Sequence, residues 1–320
     1  MKRKKIVIAL GGNAIQSKDP SAEAQQKAIR KTVEQIVAII EAGYDVIITH
    51  GNGPQVGNLM LQQKATHSNA TPAMPLDTCG AMTQGMLGYW LQNAIREGLE
   101  EKGIHKPVGS VITQVEVSKN DPAFTHPSKP IGPFYKREEA HQLMKDNQVL
   151  FVEDAGRGWR RVVPSPKPIH IVEHQMIQQL IQAGNVVIAV GGGGIPVTKI
   201  GDHYHGVEAV IDKDFASEKL AESIEADIFL VLTNVSHVSL NYNQSNAEPI
   251  NEVTTEALKK WAADGQFAPG SMLPKVEAAV EFVESKAGRK SIITSLDFAL
   301  EALEGKTGTH ISCTPSSVTI

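Results

Sequence analysis

Cysteine is scarce. Cys79 and Cys313 are the only two, far apart and without C-x-x-C spacing. That excludes a disulfide framework and a thiolate metal site, and it reads as reduced thiols in a cytoplasmic protein. Long apolar runs are missing too: none approaches the roughly 20 residues that cross a bilayer. The first, Ile6 to Leu10, stops at two glycines and is too short for a signal-peptide core. Excess charge is absent, the formal net charge being −4 at pH 7. A nucleic-acid partner would find no basic field, and Lys2-Arg3-Lys4-Lys5 reads as a solvated lead into the first strand. No repeat of fixed period and no low-complexity tract occurs. Familiar nucleotide signatures fail as well. Gly305-Lys306-Thr307 looks like the end of a P-loop, but position 300 is Leu. Gly51-Asn52-Gly53-Pro54-Gln55-Val56-Gly57 is one residue too long for a dinucleotide fingerprint. No protein-kinase loop set is present.

What is there starts with glycine. The run Val186 to Val190 ends in Gly191-Gly192-Gly193-Gly194. Ile6 to Leu10 likewise runs into Gly11-Gly12-Asn13-Ala14, and Val46 to Thr49 into His50-Gly51-Asn52-Gly53-Pro54. Three strand-then-glycine junctions predict crossovers of one parallel sheet, whose ligands lie outside the carboxyl ends of its strands. Glycine there leaves backbone N–H groups uncovered, and the following helix adds its positive end, so the crevice suits phosphate. The simpler alternative is that each glycine only serves a tight turn. With 320 residues, 41% hydrophobic and 21% charged, the chain is long enough for one large α/β domain or two lobes sharing a sheet.

Apolar spacing predicts helices over Ser21–Ala42, Pro54–Lys64 and Cys79–Glu101, then a strand over Val108–Val117. From about 118 to 168 that texture breaks. Pro122, Pro127, Pro130, Pro133, Pro164, Pro166 and Pro168 crowd the segment. Short strands over Val149–Glu153 and Trp159–Val163 flank a turn at Asp154–Gly158, so the segment reads as a subdomain inserted on the rim of the sheet. Regular texture resumes with a helix over Ile171–Ala183. The last third alternates again, with helices over Asp212–Glu225, Thr254–Ala263 and Met272–Ser285. Its strands are Ile228–Thr233, Ser291–Thr294 and Thr309–Ser312.

Lysines in unusual company are the candidate chemistry. Lys213 lies between Asp212 and Asp214 at the start of a helix, where the dipole disfavours a cation unless an anion shares the site. A solvated lysine paired with its neighbours is the plain alternative. Lys275 follows Gly270-Ser271-Met272-Leu273-Pro274 near another helix start, with the same alternative. Lys129 sits where Pro130 and Pro133 stiffen the backbone. Such cations, with backbone N–H groups and Mg²⁺, are what phosphoryl transfer requires; Asp214 is placed to orient the lysines or help hold the metal. Other features read as structural. His203 and His205 suggest a solvated loop rather than a metal site, Met82 and Met86 core or helix packing, and Arg157, Arg160 and Arg161 a brace for the insertion.

Taken together, Leu10-Gly11-Gly12-Asn13-Ala14, the His50–Gly57 segment, Lys129–Phe134, Gly156–Pro168, Val210–Asp214 and Gly270–Lys275 closely resemble the bacterial carbamate kinases. The resemblance covers about residues 5 to 311, in the family's order. It implies the amino-acid-kinase fold: α/β, an open and mainly parallel sheet sandwiched by helices, with a protruding subdomain. It implies an acceptor lobe over 1–207, including the subdomain at about 118–168, and a nucleotide lobe over 208–320. By resemblance Gly11, Gly12, Asn13, Gly51, Asn52 and Gly53 surround carbamate and the transferred phosphoryl. Lys129, Lys213, Asp214 and Lys275 match the catalytic set, with Asp212, Lys213 and Lys275 on the nucleotide; no residue is singled out as a metal ligand. Reversible transfer between carbamoyl phosphate and ADP, giving ATP and carbamate with Mg²⁺, is the implied activity, as in fermentative arginine breakdown, by a cytoplasmic homodimer. Leu273 stands where some members carry Gly, and the tail from Cys313 matches nothing. The alternatives are another acylphosphate-forming kinase of this fold, such as an acetylglutamate kinase, and a nucleotide sensor without catalysis.

Overall fold

Apolar runs bounded by glycine pair into one sheet. In the computed structural model, which describes residues 3–15, 19–147, 149–154 and 156–314, this sheet has eight strands. Their order is Glu252–Thr254, Thr309–Ser312, Lys290–Ser295, Ile228–Thr233, Lys5–Leu10, Asp45–His50, Val186–Ile188 and Val108–Ser110. Every neighbouring pair is parallel except Lys290–Ser295 with Thr309–Ser312. The central strands are buried on both faces, which explains their unbroken apolar runs.

The two faces nevertheless sort by alternate residue. Val7, Ala9, Ile47, Phe229 and Val231 join one core with Leu220 of helix Lys213–Ser223 and Phe282 of helix Met272–Glu284. Ile6, Ile8, Leu10, Ile48 and Leu230 join the other, under helices Ala22–Glu41 and Leu76–Glu101. Helices thus cover both faces. Ser21 and Thr254 cap their helices by accepting from Ala24 N and Ala257 N.

Several expectations need correction. Val108–Val117 is two strands in different sheets, Val108–Ser110 in the large one and Gln114–Val117 in a four-stranded sheet. The break is a buried clasp: Gln84 accepts from Thr113 N–H at 2.9 Å and donates to the Thr113 carbonyl at 3.1 Å. The helix expected from Ile171 starts at His174, because Pro168–Ile171 forms a strand of that second sheet. His203 and His205 lie on strand His203–Gly206, antiparallel to Ile195–Ile200, not in a loop. Met82 is exposed and not core.

The insertion is more regular than its prolines suggest. Strands Lys129–Tyr135, Trp159–Val163 and Leu150–Glu153 form an antiparallel sheet, with helix Arg137–Asn147 between the first and last in sequence. Of the turn Asp154–Gly158, Ala155 lies outside the described residues, as does the tail beyond Thr314. Cys79 and Cys313 are free thiols. Among the described residues no helix is long and apolar enough to cross a membrane.

Phe229 is fully buried, with its ring centroid 5.7 Å from that of Phe282. Phe229→Ala is expected to destabilise the protein by about 3–5 kcal/mol through lost burial and the cavity left behind. Urea unfolding checks it, the midpoint falling while the slope stays unchanged.

Candidate functional site

Three adjacent strands, Lys5–Leu10, Asp45–His50 and Val186–Ile188, each end in one of the glycine turns. All three turns therefore open on one rim of the sheet. At Gly11 a Cβ would stand 2.7 Å from the Leu232 carbonyl oxygen, so the turn admits no side chain. Gly193 has φ +92°, and a Cβ there would lie 2.2 Å from the Ile211 oxygen. The third turn thus presses on the residue before Asp212. Val190, just ahead of it, holds φ 54°, an outlying conformation for a β-branched residue. Its N–H donates to the Thr113 hydroxyl at 3.0 Å, which pins it.

Beside these turns begins helix Lys213–Ser223. Asp212 caps it, one carboxylate oxygen accepting from Asp214 N–H at 2.9 Å. The other oxygen meets the Lys129 ammonium, 2.5 Å away, reaching across from the insertion. Lys213 Nζ lies 2.6 Å from one oxygen of Asp214 and Lys275 Nζ 3.1 Å from the other. One carboxylate is thus gripped by two ammonium groups. Asp214 is only 3% exposed. Burial alone would push its carboxyl up; Lys213 and Lys275 outweigh that and hold it well below the usual carboxylate range. Burial pushes the Lys213 ammonium down from the ordinary lysine value, against the pull of Asp214. The base of this group is tied to the sheet. Ser217 donates to the Lys213 carbonyl at 2.5 Å, and the Thr49 hydroxyl lies 2.6 Å from Ser217.

Gly51 lies against the same lysine, where a Cβ would be 3.3 Å from Lys213 Cδ. Asn52 is buried and donates to Thr83 Oγ at 2.7 Å. Gly53 opens helix Gly53–Ala65. Gly12 is exposed at the first turn, and the Asn13 side chain lies outside the described residues. A cavity of about 480 Å³ joins Gly11, Gly12 and Lys275 to Thr233 and Asn234. A second, of about 440 Å³, shares Thr233, Asn234 and Ser271 and continues to Asn241 and Phe267. End to end they suit a ligand with an anionic head at the glycines and a longer body beyond Asn234.

Comparisons with known proteins give the family. The model of the amino acid kinase family matches residues 4–295. "Carbamate kinase 2" of Staphylococcus aureus strain Mu50 is 56% identical over 310 residues, covering 97% of this chain and 99% of its own. The chain belongs to the carbamate kinases of the amino acid kinase family. The solved carbamate kinase from Giardia lamblia bound to citric acid superposes with a TM-score of 0.92 at 42% identity, covering 97% of this chain and 98% of the other. The same Giardia enzyme bound to AMP-PNP gives 0.88 at 42% identity, with coverage of 97% and 98%.

Some site residues escaped the sequence reading. Thr233 ends strand Ile228–Thr233 and Asn234 follows it, a strand end with no glycine to mark it. The arginines divide. Arg160 donates to the Gly132 carbonyl at 3.0 Å and pairs with Asp154, bracing the insertion as expected. Arg157 pairs with Asp154 at 2.9 Å yet keeps an exposed head and lines the first cavity. His50 was read only as part of a turn. It is buried, donates through Nδ1 to the Gly51 carbonyl at 3.0 Å and faces Gly191, where a Cβ would lie 2.6 Å from Nε2.

Burial lowers the His50 pKa from 6.5 to about 4, Lys213 adding to the effect and the Gly51 bond opposing it. The imidazole is therefore neutral near Lys213. With the folded value below the unfolded one, the unfolded chain binds more protons between these two pH values, so stability rises with pH there. The contribution is complete above pH 6.5 and is lost as pH falls towards 4. Relative to His50→Asn, wild type is expected to lose about 3 kcal/mol of unfolding free energy across that window. Urea titrations at a series of pH values measure the difference; a constant offset between the two proteins would refute it.

Proposed function

We propose that this chain moves a phosphoryl group between carbamoyl phosphate and ADP, giving ATP and carbamate, and the reverse. One observation carries the reading: Lys213 and Lys275 converge on buried Asp214 beside the Gly11 and Gly51 turns, while Lys129 reaches in from the opposite, inserted sheet. Two ammonium groups and one carboxylate leave a net positive charge at the glycine rim. That suits a transferring phosphoryl, whose charge is spread over its oxygens and needs clamping more than covalent help.

In the ATP-forming direction an ADP β-phosphate oxygen attacks the phosphorus of carbamoyl phosphate. A new P–O bond forms to ADP as the P–O bond to carbamate breaks, and carbamate leaves as its anion without needing a proton. Lys213 and Lys275 hold the phosphoryl oxygens, with Asp214 fixing their spacing. Backbone N–H groups at Gly12, Gly51 and Gly53, with Asn13, frame the small acceptor, Gly11 shaping the turn while its own N–H donates to the Leu232 carbonyl at 3.1 Å, and the Asn52 side chain braces that loop through Thr83. Lys129 faces the oxygen shared by carbamate and phosphorus. Mg²⁺ enters as part of the nucleotide substrate. Among the described residues no group of three or more His, Cys, Asp or Glu is arranged for a metal.

The division of labour follows: residues 1–207 serve the acceptor, and 208–320, with Asp212, Lys213 and Lys275, serve the nucleotide. The cavity formed wholly by residues between Thr233 and Met272 supports the second assignment. A homodimer is part of the proposal. Ile112, Ile169 and Ile200 are exposed apolar side chains on or next to strands of the four-stranded sheet, apolar surface that a second copy would cover.

Lys213→Ala and Lys275→Ala are each expected to raise the barrier by about 2–4 kcal/mol, the scale of other electrostatic stabilisers. Lys129→Ala is expected to lose turnover while keeping ADP affinity, as calorimetry would register. A coupled ATP-formation assay tests the lysine variants, and undiminished turnover removes that lysine from its role.

Selectivity tests the substrate. Carbamate has four heavy atoms, so even about 1.5 kcal/mol per atom caps its binding near 6 kcal/mol, and discrimination has to come from hydrogen bonds and size. Carbamoyl phosphate should support ATP synthesis far better than acetyl phosphate, and acetylglutamate should not be phosphorylated. Robust acetylglutamate phosphorylation would transfer the chain to the rival kinase.

A further inference from the structure

Helix Gly53–Ala65 starts in the acceptor turn and then runs along strand Lys129–Tyr135 of the insertion. Two of its glycines, one helical turn apart, face that strand. A Cβ on Gly53 would lie 3.8 Å from the Pro130 carbonyl oxygen, which is ordinary contact. One on Gly57 would lie 2.0 Å from Gly132 Cα, 2.1 Å from Gly132 N and 3.1 Å from the Ile131 carbonyl carbon. Backbone meets backbone there, with no flexible side chain that could give way.

Gly132 is held from its own sheet as well. The pairing of Lys129–Tyr135 with Trp159–Val163 is interrupted between Ile131 and Tyr135. Gly132 takes φ +73° in that interruption, and its carbonyl accepts from Arg160 Nε at 3.0 Å. The bulge therefore cannot retreat from the helix without breaking the arginine bond. In the same strand, Lys129 makes its contact with Asp212 at 2.5 Å. Helix, bulge and lysine form one short mechanical chain from the acceptor turn to the nucleotide-side helix.

We propose that Gly57 is a positioning residue for the reaction. Its bare backbone seats the Gly132 bulge and thereby sets where Lys129 stands relative to the glycine turns. The inference rests on the reading of Lys129 as a group that acts on the substrate, and its test separates the two. Any side chain at 57 has to push the inserted sheet outward, carrying Lys129 away from the rim. Displacements of about 1 Å remote from the chemistry cost on the order of a hundredfold in rate.

The experiment is a double-mutant cycle between Gly57→Ala and Lys129→Ala, read by single-turnover ATP formation from carbamoyl phosphate and ADP, with ADP affinity from calorimetry. Gly57→Ala should lower the rate by about a hundredfold with ADP affinity within about twofold of wild type, whereas in the Lys129→Ala background it should cost little more. Gly85→Ala, on an exposed helix face where a Cβ meets nothing within 4 Å, is the control and keeps full activity. An undiminished rate in Gly57→Ala, a matching loss of ADP affinity, or an equal loss with and without Lys129 overturns the proposal. Full activity of Lys129→Ala itself overturns the earlier reading instead. If Gly57→Ala does not fold, Gly132→Ala takes its place in the cycle. Its Cβ has 3.6 Å to Gly57 Cα and strains only the bulge, and undiminished activity there overturns the proposal equally.

Discussion

Asp214 buries a negative charge at the glycine rim, the place where the proposed reaction brings more negative charge. Left alone, a carboxylate so enclosed would take up a proton or destabilise the fold by several kcal/mol. Lys213 and Lys275 prevent that, one on each oxygen. The pairing also works in reverse. Lys213 stands in the first turn of a helix, where the dipole opposes a cation, and is itself desolvated, yet Asp214 keeps it charged and oriented. Three groups that would each be unfavourable alone are stable as a set with charge to spare. Asp212 extends the set without adding to the burden: one oxygen caps the helix while the other meets Lys129.

The surrounding backbone is shaped by that set. A charged cluster next to a ligand needs walls that bring N–H groups close and intrude no side chains. Gly11 packs against Leu232, Gly51 against Lys213 and Gly193 against Ile211 at distances that a Cβ would violate or crowd. The outlying φ of Val190 belongs to the same economy, since the chain has to bend sharply after strand Val186–Ile188 to bring Gly191–Gly194 beside Asp212. The Thr113 clasp and the Thr49–Ser217 pair anchor those bends to buried elements. His50 packs against Gly191 as a neutral imidazole, adding bulk near Lys213 without a competing charge.

Much of this was legible in the amino-acid order, for a physical reason. Central strands buried on both faces write themselves as apolar runs, so Ile228–Thr233 matches its expected bounds. The three glycine turns were visible because glycine is conspicuous, and the lysines because each stood in company that ordinary surface lysines avoid. Thr233 and Asn234 carry no such mark and became visible only as part of the shared wall of two cavities. Helix Arg137–Asn147 was missed because, with Ala140 the one buried side chain among its described residues, it shows almost no apolar stripe. Strand Lys129–Tyr135 hid behind two prolines that its interrupted ladder tolerates. The break in Val108–Val117 depends on Gln84, a partner remote in sequence, and local pattern does not encode it.

On the proposed reaction, the place of the third lysine on an insertion follows from the geometry of transfer. Attacking and leaving oxygens lie roughly in line on opposite sides of the phosphorus. Cations rooted beside the sheet's carboxyl rim approach from the rim, as Lys213 and Lys275 do. A cation for the far side has to come from outside the sheet, and a doubly wound fold has no strand end pointing that way. A second small sheet leaning over the rim supplies one, provided its own position is fixed. Here that position rests on backbone seated against backbone at Gly57 and Gly132, on Arg160, and on an ion pair ending at the cap of the helix that carries Lys213. The lysine farthest from the sheet is thus tied to the same helix terminus as the two nearest it, so one short segment, Asp212 to Asp214, registers all three.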